Sequence, residues 1–296
     1  MKHLLFKITI AVWRLIPGKV FLSKIIKKSP YLKKKLFKDL RFKGEIKIDL
    51  GNSSFQMYNP GFTTIENELF WNGLEGWEKI SIKIWVELAK QSNVILDIGA
   101  NTGVYSLIAG TLNKNAKIYS FEPVKRTYSL LENNIAINSF NNIFPFAKAV
   151  SNVNSILDFY DVDSQSQSSA SLNPKMLEKC TNRISYKVET IALDTSMEFQ
   201  KLKVDLIKLD VEMHEPEALE GMIQILSRDK PYILVEILTN DIANKIQTLF
   251  SSLDYSYYNI DEVNIPQKVE TLKPSDHYNY IFIPNTEKFD FEFLRK

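Results

Sequence analysis

The chain has 296 residues, of which 45% are hydrophobic and 24% are charged, and its formal net charge is +2 at pH 7. This length supports one large domain with an extension, and the composition supplies enough apolar side chains for a full hydrophobic core. A single cysteine, Cys180, excludes an internal disulfide framework and a metal site built from several cysteines.

The first 47 residues differ in charge from the rest of the chain. They hold fourteen of the 37 Lys and Arg residues but only two of the 35 Asp and Glu residues. Because the remainder is acidic and repels a phosphate backbone, we expect no nucleic-acid partner. Residues 1–47 therefore form a basic arm whose charge is opposite to that of the rest of the chain.

Apolar residues in the first part of this arm recur at helical spacing. The pattern predicts an amphipathic helix whose apolar face lies on an anionic membrane, with lysines following it. Charged residues interrupt the segment, and a membrane span needs about twenty apolar residues, so a transmembrane helix is not predicted. Packing of the helix on the main domain, with its lysines exposed, is the alternative. The apolar face comprises Leu4, Leu5, Ile8, Val12 and Leu15.

Residues 43–58 alternate loosely between apolar and polar residues around Gly51, which predicts a hairpin ahead of the main domain. We therefore divide the chain into a basic extension, residues 1–74, and a main domain, residues 75–296. Strands and helices then alternate, which predicts a parallel sheet with right-handed crossovers. The last two strands lack a helix between them, so an antiparallel pair is expected at the sheet edge. The predicted strands are 94–98, 117–121, 143–150, 186–191, 204–209, 232–237, 255–260 and 278–283, and the predicted helices are 78–90, 103–112, 125–138, 216–226 and 241–253.

The segment from Val94 to Val104 predicts a buried strand, a glycine turn and the start of a helix. The strand is a short apolar run, typical of a parallel strand covered on both faces. Gly99 and Gly103 allow the backbone to approach a ligand where a Cβ would collide. The helix directs free N–H groups and its positive dipole end at that ligand. Glu122, at the end of the next strand, is placed to accept hydrogen bonds from both hydroxyls of a ribose.

These parts indicate a cofactor that contains a nucleoside. A dinucleotide fingerprint reads G-x-G-x-x-G, but Asn101 stands where its middle glycine would be, which argues against NAD. The sequence also has no phosphate-binding loop of the form G-x-x-x-x-G-K-[ST]. The pattern D-x-G-x-x-x-G, which begins at Asp97 and is followed by an acidic strand end, resembles the S-adenosylmethionine site of Rossmann-like methyltransferases.

A second motif, residues 204–221, resembles the signature of the FkbM family of methyltransferases. That family carries a strand ending in K-x-D-V-E-G-x-E, followed by a helix that ends near a glycine. The resemblance covers roughly residues 75–284 and includes one departure, Met213, where the family has glycine. A larger side chain there is expected to reshape the acceptor pocket or to force a different turn. Further segments that match the pattern are 97–103, 121–123, 149–152, 168–172 and 234–237.

The resemblance implies an α/β fold of the Rossmann-like, class I methyltransferase type. Its mostly parallel, seven-stranded sheet has helices on both faces and an antiparallel last strand, and it follows an N-terminal helical and hairpin extension. S-adenosylmethionine is the implied cofactor, with Glu122 at its ribose, although a solvated strand end is the alternative reading of Glu122. Asp97 alternatively caps the next helix. The methionine end of the cofactor would face Asp97, Gly99, Asn101 and Gly103, and the adenine would lie beside Ser151 and Asn152.

Asp210, Glu212 and His214 are the candidate catalytic residues, because they follow a central strand at the edge where open α/β sheets bind ligands. Methyl transfer from a sulfonium is an in-line displacement that needs positioning and a base for the acceptor hydroxyl. A carboxylate or the imidazole of His214 suits this role. Glu236, which ends the next strand, is either a second base or a partner of Lys208. Asp210 and Glu212 alternatively bind a divalent metal or bond to the backbone of the turn.

The predicted function is S-adenosylmethionine-dependent O-methyl transfer to a hydroxyl of a sugar, a surface glycan or a secondary metabolite. A membrane-surface binding protein that keeps the fold but has lost turnover is the alternative. The expected setting is the cytoplasm, with a small-molecule or glycan acceptor as partner and the inner face of a membrane as a contact of the basic arm. The polar loop of residues 163–173 is expected either to close over the site or to remain an ordinary surface loop.

Overall fold

The computed structural model describes residues 23, 25, 26, 28, 29, 40–162, 170–177, 182–287 and 289–295. The amphipathic helix predicted near the N-terminus, Cys180 and residues 163–169 of the polar loop lie outside the described residues. The chain forms two compact units, Met1–Trp77 and Glu78–Lys296. Within the part of the chain that is described, no helix has the length and apolar character needed to cross a membrane.

The described part of the first unit includes the predicted hairpin and a helix that follows it. Strands β1 (Gly44–Asp49) and β2 (Ser54–Asn59) pair antiparallel, which confirms the hairpin around Gly51. Alternation along both strands puts their apolar side chains on one buried face. Helix α1 (Thr64–Asn72) carries Trp71, whose indole Nε1 donates to the carbonyl of Leu40 at 3.0 Å. A short 3₁₀ turn, Gly73–Gly76, follows α1.

The second unit alternates strands and helices, as the sequence predicts. Additional 3₁₀ turns are Pro174–Leu177, Leu193–Thr195 and Glu292–Arg295. In chain order the elements are α2 (Lys79–Gln91), β3 (Val94–Ile98), α3 (Val104–Leu112), β4 (Lys117–Phe121), α4 (Lys125–Ile137), β5 (Ile143–Phe146), β6 (Ala149–Val150), β7 (Ile156–Val162), β8 (Arg183–Ile191), α5 (Met197–Gln200), β9 (Leu206–Leu209), α6 (Glu215–Glu220), α7 (Ile223–Asp229), β10 (Tyr232–Glu236), α8 (Asn240–Phe250), β11 (Tyr255–Asn259), β12 (Gln267–Val269) and β13 (Asn279–Pro284).

The main sheet has the strand order β12-β11-β13-β10-β9-β3-β4-β5. Strands β5, β4, β3, β9 and β10 are parallel, whereas β13 runs antiparallel to both of its neighbours, β10 and β11. The antiparallel last strand is therefore confirmed, but it lies between β10 and β11 rather than at the edge. The prediction of seven strands is wrong by one, because the short strand β12 adds to β11.

Two predicted elements are divided in the structure. The predicted strand 143–150 splits into β5, in the main sheet, and β6, which pairs with β8 in a separate sheet of order β6-β8-β7. The predicted helix 216–226 splits into α6 and α7 at Gly221. A Cβ on Gly221 would stand 1.9 Å from the carbonyl oxygen of Ser151, so the break is where the chain after β6 approaches the helix backbone. Strand β7 was not predicted.

Candidate active site

The carboxyl ends of four neighbouring parallel strands, β4, β3, β9 and β10, meet at one edge of the main sheet. The register pairs Ile98 with Phe121 and with Leu209, and it pairs Leu209 with Val235. The residues that follow these positions stand side by side, because parallel strands in register end together. They are Gly99, Glu122, Asp210 and Glu236, and the sequence had placed all four at strand ends.

The turn after β3 requires glycine at two positions. Gly99 has φ +81°, and a Cβ there would lie 1.8 Å from the carbonyl oxygen of Asp210. Gly103, at the start of α3, has φ +98°, and Asn101 between them has φ +51°. These left-handed conformations favour glycine, with asparagine as the next most tolerant residue. Gly99 therefore lets the end of β9, which carries Asp210, stand directly against the turn.

Every backbone N–H of this turn, residues 99–103, has a partner inside the chain. Gly99 and Ala100 donate to the carbonyl of Phe121 at 3.0 and 2.9 Å, Asn101 to Glu122 Oε2 at 2.9 Å, Thr102 to Asn101 Oδ1 at 2.9 Å, and Gly103 to the carbonyl of Ala100 at 2.8 Å. Dinucleotide sites bind a pyrophosphate with such amides. The turn is thus better suited to a nucleoside cofactor without phosphate, in agreement with the glycine spacing.

Asp97 is buried beneath the turn and bonds to helix α3. Its Oδ2 accepts hydrogen bonds from the backbone N–H of Ser106, at 3.0 Å, and from the Ser106 hydroxyl, which also contacts the hydroxyl of Ser120 at 2.6 Å. Burial raises the pKa of Asp97 to about 6. The side chain therefore ties α3 to β3 and β4, as the helix-capping alternative requires. A contact with the methionine end of the cofactor stays a prediction.

Glu122 is buried at the end of β4 and is held by two backbone amides. Its Oε2 accepts from Asn101 at 2.9 Å and its Oε1 from Val124 at 2.8 Å. Burial raises the pKa of this carboxyl to about 7, although both hydrogen bonds and nearby Arg126 oppose that rise. A carboxylate has about four acceptor positions, so each oxygen retains one for a further donor. The side chain accordingly fits a ribose that offers two hydroxyls.

The residues predicted to border the adenine lie beside a predicted catalytic residue. The hydroxyl of buried Ser151 lies 3.0 Å from Nε2 of His214, while Asn152 donates through Nδ2 to Glu220 at 2.8 Å. The other ring nitrogen of His214, Nδ1, lies 3.6 Å from Glu217. Burial lowers the pKa of His214, so its imidazole is neutral near pH 7. The sequence did not link Ser151 to His214, because 63 positions separate them.

The loop that carries the acidic residues, residues 210–214, has a strained backbone. Glu212 and Met213 have φ +55° and +74°, values that glycine adopts freely and that cost other residues roughly 1–2 kcal/mol each. Met213, which departs from the family pattern, is therefore held in a conformation suited to the glycine it replaces. The carboxylate oxygen Oε1 of Glu215 accepts from the amides of Val211 and Met213, both at 3.2 Å, and supports the loop from α6.

Lys208 is a buried cation that contacts an acidic and an aromatic side chain at this edge of the sheet. Its side chain is 2% exposed in a strand whose other three residues are apolar and buried. The Nζ atom lies 3.2 Å from Asp210 Oδ2 and 5.1 Å from the ring centroid of Tyr105. The Tyr105 hydroxyl in turn donates to the carboxylate of Glu78. Sequence reasoning proposed only Glu236 as a partner, yet a lysine in a buried strand already signals a nearby counter-charge.

Two further carboxyl groups surround this ion pair. Burial, followed by repulsion from Asp210, raises the pKa of Glu212 to about 8 and that of Glu236 to about 10, while Lys208 opposes both rises. The raised pKa favours the protonated form of both groups near pH 7. Burial also raises the pKa of Glu78. A neutral carboxyl donates a hydrogen bond but does not accept a proton, so Glu212 and Glu236 are weaker candidates for a base than Asp210.

The described residues contain no group of three or more His, Cys, Asp or Glu side chains arranged to hold a metal ion. Asp210 and Glu212 as metal ligands remain the alternative that the sequence raised.

The buried carboxyl groups predict a pH dependence of stability. The pKa of Asp97, Glu122, Glu215 and Glu212 is raised to about 6, 7, 7 and 8 from ordinary values of 3.8 and 4.5. The folded state thus binds protons more tightly than the unfolded state, so stability is full below about pH 4 and is lost as pH rises through 6 to 8. We expect urea unfolding to give a free energy on the order of a few kcal/mol lower at about pH 8.5 than at about pH 5.5. Equal or greater stability at the alkaline pH would contradict these protonation states.

The chain is a Rossmann-like, class I methyltransferase that uses S-adenosylmethionine. The mostly parallel sheet with one reversed strand is the arrangement of that fold. The profile of the family described as "Methyltransferase FkbM domain" matches residues 97–257, more than half of the chain. The chain therefore belongs to the FkbM methyltransferase family.

Three known proteins illustrate the similarity. Hexuronic acid methyltransferase AglP of Haloferax volcanii is 26% identical over 183 residues, which are 61% of this chain and 71% of the relative. The crystal structure of an FkbM methyltransferase from Methylobacillus flagellatus KT is 15% identical with a TM-score of 0.41; the match covers 64% of this chain but only 43% of that one. A SAM-dependent O-methyltransferase from Thermotoga maritima is 13% identical with a TM-score of 0.39, covering 71% of this chain and 67% of that one.

Proposed function

We propose that the protein transfers the methyl group of S-adenosylmethionine to a hydroxyl of a sugar or glycan, with a secondary metabolite as a further acceptor class. The observation that carries the proposal is the position of Asp210. Its backbone packs against Gly99 of the cofactor turn, and its carboxylate forms an ion pair with buried Lys208. A carboxylate that can accept a proton would therefore stand beside the bound cofactor.

The cofactor residues have separate tasks in this proposal. Glu122 would hold the ribose through its two remaining acceptor positions, since its other two are occupied by the amides of Asn101 and Val124. Gly99 would let the end of β9 bring Asp210 close to the methionine end, Gly103 would let the turn pack against Leu131, and Asp97 would fix the turn from below through Ser106. Bound S-adenosylmethionine supplies an electrophilic methyl group on a sulfonium. None of these residues needs to react with it.

Asp210 is the proposed base. The acceptor oxygen would attack the methyl carbon while the carbon–sulfur bond breaks and its electron pair goes to sulfur; the hydroxyl proton would pass to the Asp210 carboxylate. His214 is the second candidate because its imidazole is neutral near pH 7, although Nε2 already contacts Ser151. Glu212 would act as a neutral hydrogen-bond donor to the acceptor. A divalent metal on Asp210 and Glu212 would replace the base in the alternative mechanism.

The acceptor class is supported by the relative named a hexuronic acid methyltransferase, with which this chain shares 26% of 183 aligned residues. Contact of the basic arm with the inner face of an anionic membrane, in the cytoplasm, is supported by the fourteen Lys and Arg residues before residue 48. Liposome flotation of the full chain against a chain that starts at Gly44 would test that contact.

The test of the proposed function begins with calorimetric titration of S-adenosylmethionine, with NAD as the control. Binding of S-adenosylmethionine alone is expected, followed by methylation of at least one member of a panel of neutral and acidic sugars. Binding without transfer to any acceptor would favour the alternative of a fold that has lost turnover. Absence of binding by a folded sample would overturn the cofactor assignment.

Glu122→Gln is expected to weaken S-adenosylmethionine binding about 10- to 100-fold, which corresponds to losing one hydrogen bond to a charged group. The measurement is the dissociation constant by calorimetry. Asp205→Asn is a matched control, because Asp205 also accepts from two backbone amides, those of Asn93 and Val94 at 2.7 and 3.0 Å, but at the opposite end of the strands. Equal affinities in the two variants would show that Glu122 only supports the turn.

A further inference from the structure

The short segment of residues 171–173 packs against residues 210–214, the loop that carries the acidic residues. The hydroxyl of Ser171 donates to the backbone carbonyl of Glu212, and Nδ2 of Asn173 donates to the carbonyl of Met213 at 3.0 Å. These two carbonyls belong to the two residues with left-handed backbone conformations. We propose that Ser171 and Asn173 are positioning residues that hold the strained loop and thereby fix the carboxyl groups of Asp210 and Glu212 at the active site.

The two side chains form a continuous chain of hydrogen bonds. The Ser171 hydroxyl also accepts from the backbone N–H of Asn173 at 2.9 Å, and Oδ1 of Asn173 accepts from the N–H of Lys175 at 3.1 Å. Each polar group therefore has a fixed direction, because the oxygen of Asn173 is used by Lys175 and its amide nitrogen must face Met213. A side-chain amide with both ends assigned has one orientation, which suits a positioning role.

The segment is itself anchored to the small sheet. Ser171 is fully buried and exchanges two backbone hydrogen bonds with Tyr160 of β7, at 2.8 and 2.9 Å. Strand β7 pairs with β8 along its whole length. The small sheet β6-β8-β7 therefore fixes the two donors, Ser171 and Asn173. Asp210 follows β9 of the main sheet, so these hydrogen bonds join the two sheets.

The loop is supported from both sides. Glu215 of α6 accepts from the N–H groups of Val211 and Met213, and the segment of residues 171–173 donates to the carbonyls of Glu212 and Met213. A left-handed residue other than glycine persists where the surroundings determine its conformation. These hydrogen bonds therefore offset the strain that Met213 introduces at the family's glycine position.

This inference rests on the proposed function for the role of Asp210 and Glu212. Whether Ser171 and Asn173 hold the strained loop can be tested separately, by measuring stability. Asn173→Asp keeps the size of the side chain and its bond from Lys175, but it replaces the donor that faces Met213 with an acceptor. Asn173→Ala removes both ends and serves as the second variant. Each is combined with Met213→Gly, which removes the strain, and with Met213→Ala, which removes the same side chain but keeps the strain.

If the two residues hold a strained loop, Asn173→Asp lowers the melting temperature by about 2–4 °C both in the wild-type background and in the Met213→Ala background. In the Met213→Gly background the loss is less than half as large. An equal loss in all three backgrounds would overturn the proposal and leave an ordinary structural hydrogen bond. This comparison needs neither cofactor nor acceptor, so its result stands even if the proposed methyl transfer fails.

The functional readout uses S-adenosylmethionine and an acceptor found in the sugar panel. Asn173→Asp is expected to lower kcat about tenfold, while the dissociation constant for S-adenosylmethionine changes less than about threefold, because Glu122 and the glycine turn are untouched. Combination with Met213→Gly is expected to restore part of kcat, whereas combination with Met213→Ala is not. A loss confined to cofactor affinity, or equal rescue by glycine and alanine, would contradict the positioning role.

Discussion

Asp210→Asn is expected to lower the rate of methyl transfer by about 10²–10⁴-fold, because an amide cannot take the proton of the acceptor hydroxyl. Binding of S-adenosylmethionine should remain measurable, since the backbone contact between Asp210 and Gly99 is unchanged by this substitution. The side-chain oxygen of asparagine can still accept from Lys208, whose Nζ lies 3.2 Å from Oδ2 in the native protein. Turnover and cofactor affinity, measured on the same preparation, separate the two effects.

Asp241→Asn is the control for loss of a carboxylate, because Asp241 is exposed on α8 and pairs across the helix surface with Lys245 at 3.3 Å. It should leave transfer unchanged. Retention of more than about a tenth of the wild-type rate in Asp210→Asn would exclude Asp210 as the base. His214→Gln would then be examined, because burial lowers the pKa of His214 and its neutral imidazole can accept a proton.

Lys208→Met is expected to lower the free energy of unfolding by about 1.5–3 kcal/mol, the usual effect of losing a hydrogen bond to a charged group, because the Asp210 side chain that it leaves behind is 33% exposed. The substitution leaves the carboxylate of Asp210 without its ammonium partner and removes the charge that opposes the pKa rise of Glu236 and Glu212. It also removes the cation above the Tyr105 ring. Urea unfolding of the purified variant at neutral pH measures the loss.

Lys245→Met provides the matched comparison, because Lys245 also pairs with an aspartate but is half exposed. Its loss should cost no more than about 1 kcal/mol. A cost that matches the control would show that Lys208 is not the counter-charge of the acidic edge.

Local patterns in the sequence predicted the main strands of the parallel sheet. The run from Val94 to Ile98 is apolar except for Asp97 and is followed by Gly99, and it forms β3 with the predicted bounds. Helix α3 and strand β4 follow at the predicted positions. Such segments are recognisable because a parallel strand buried on both faces has few polar residues, and because a glycine turn has few sequence alternatives.

Elements that pair with distant partners were harder to predict. Strand β7 carries Asp158 and Asp161 among its apolar residues, so its sequence does not look like a strand. Asp161 is nonetheless fully buried, because Arg126 of α4 and the Tyr186 hydroxyl bind its carboxylate. The division of residues 143–150 between two sheets likewise depends on pairing with β8, which begins more than thirty positions later.

The sequence by itself determined the family, the cofactor class and the strand ends where Gly99, Glu122 and Asp210 stand, because these depend on short motifs whose residues fold locally. Only the tertiary structure decided which side chains meet there. It paired Lys208 with Asp210, brought Ser151 to His214, and set Ser171 and Asn173 on the carbonyls of the strained loop. The physical reason is that a buried charge, or a carbonyl group in a strained loop, is stabilised by a partner within hydrogen-bond distance. Packing of the folded chain brings that partner close, however far away it lies in the sequence.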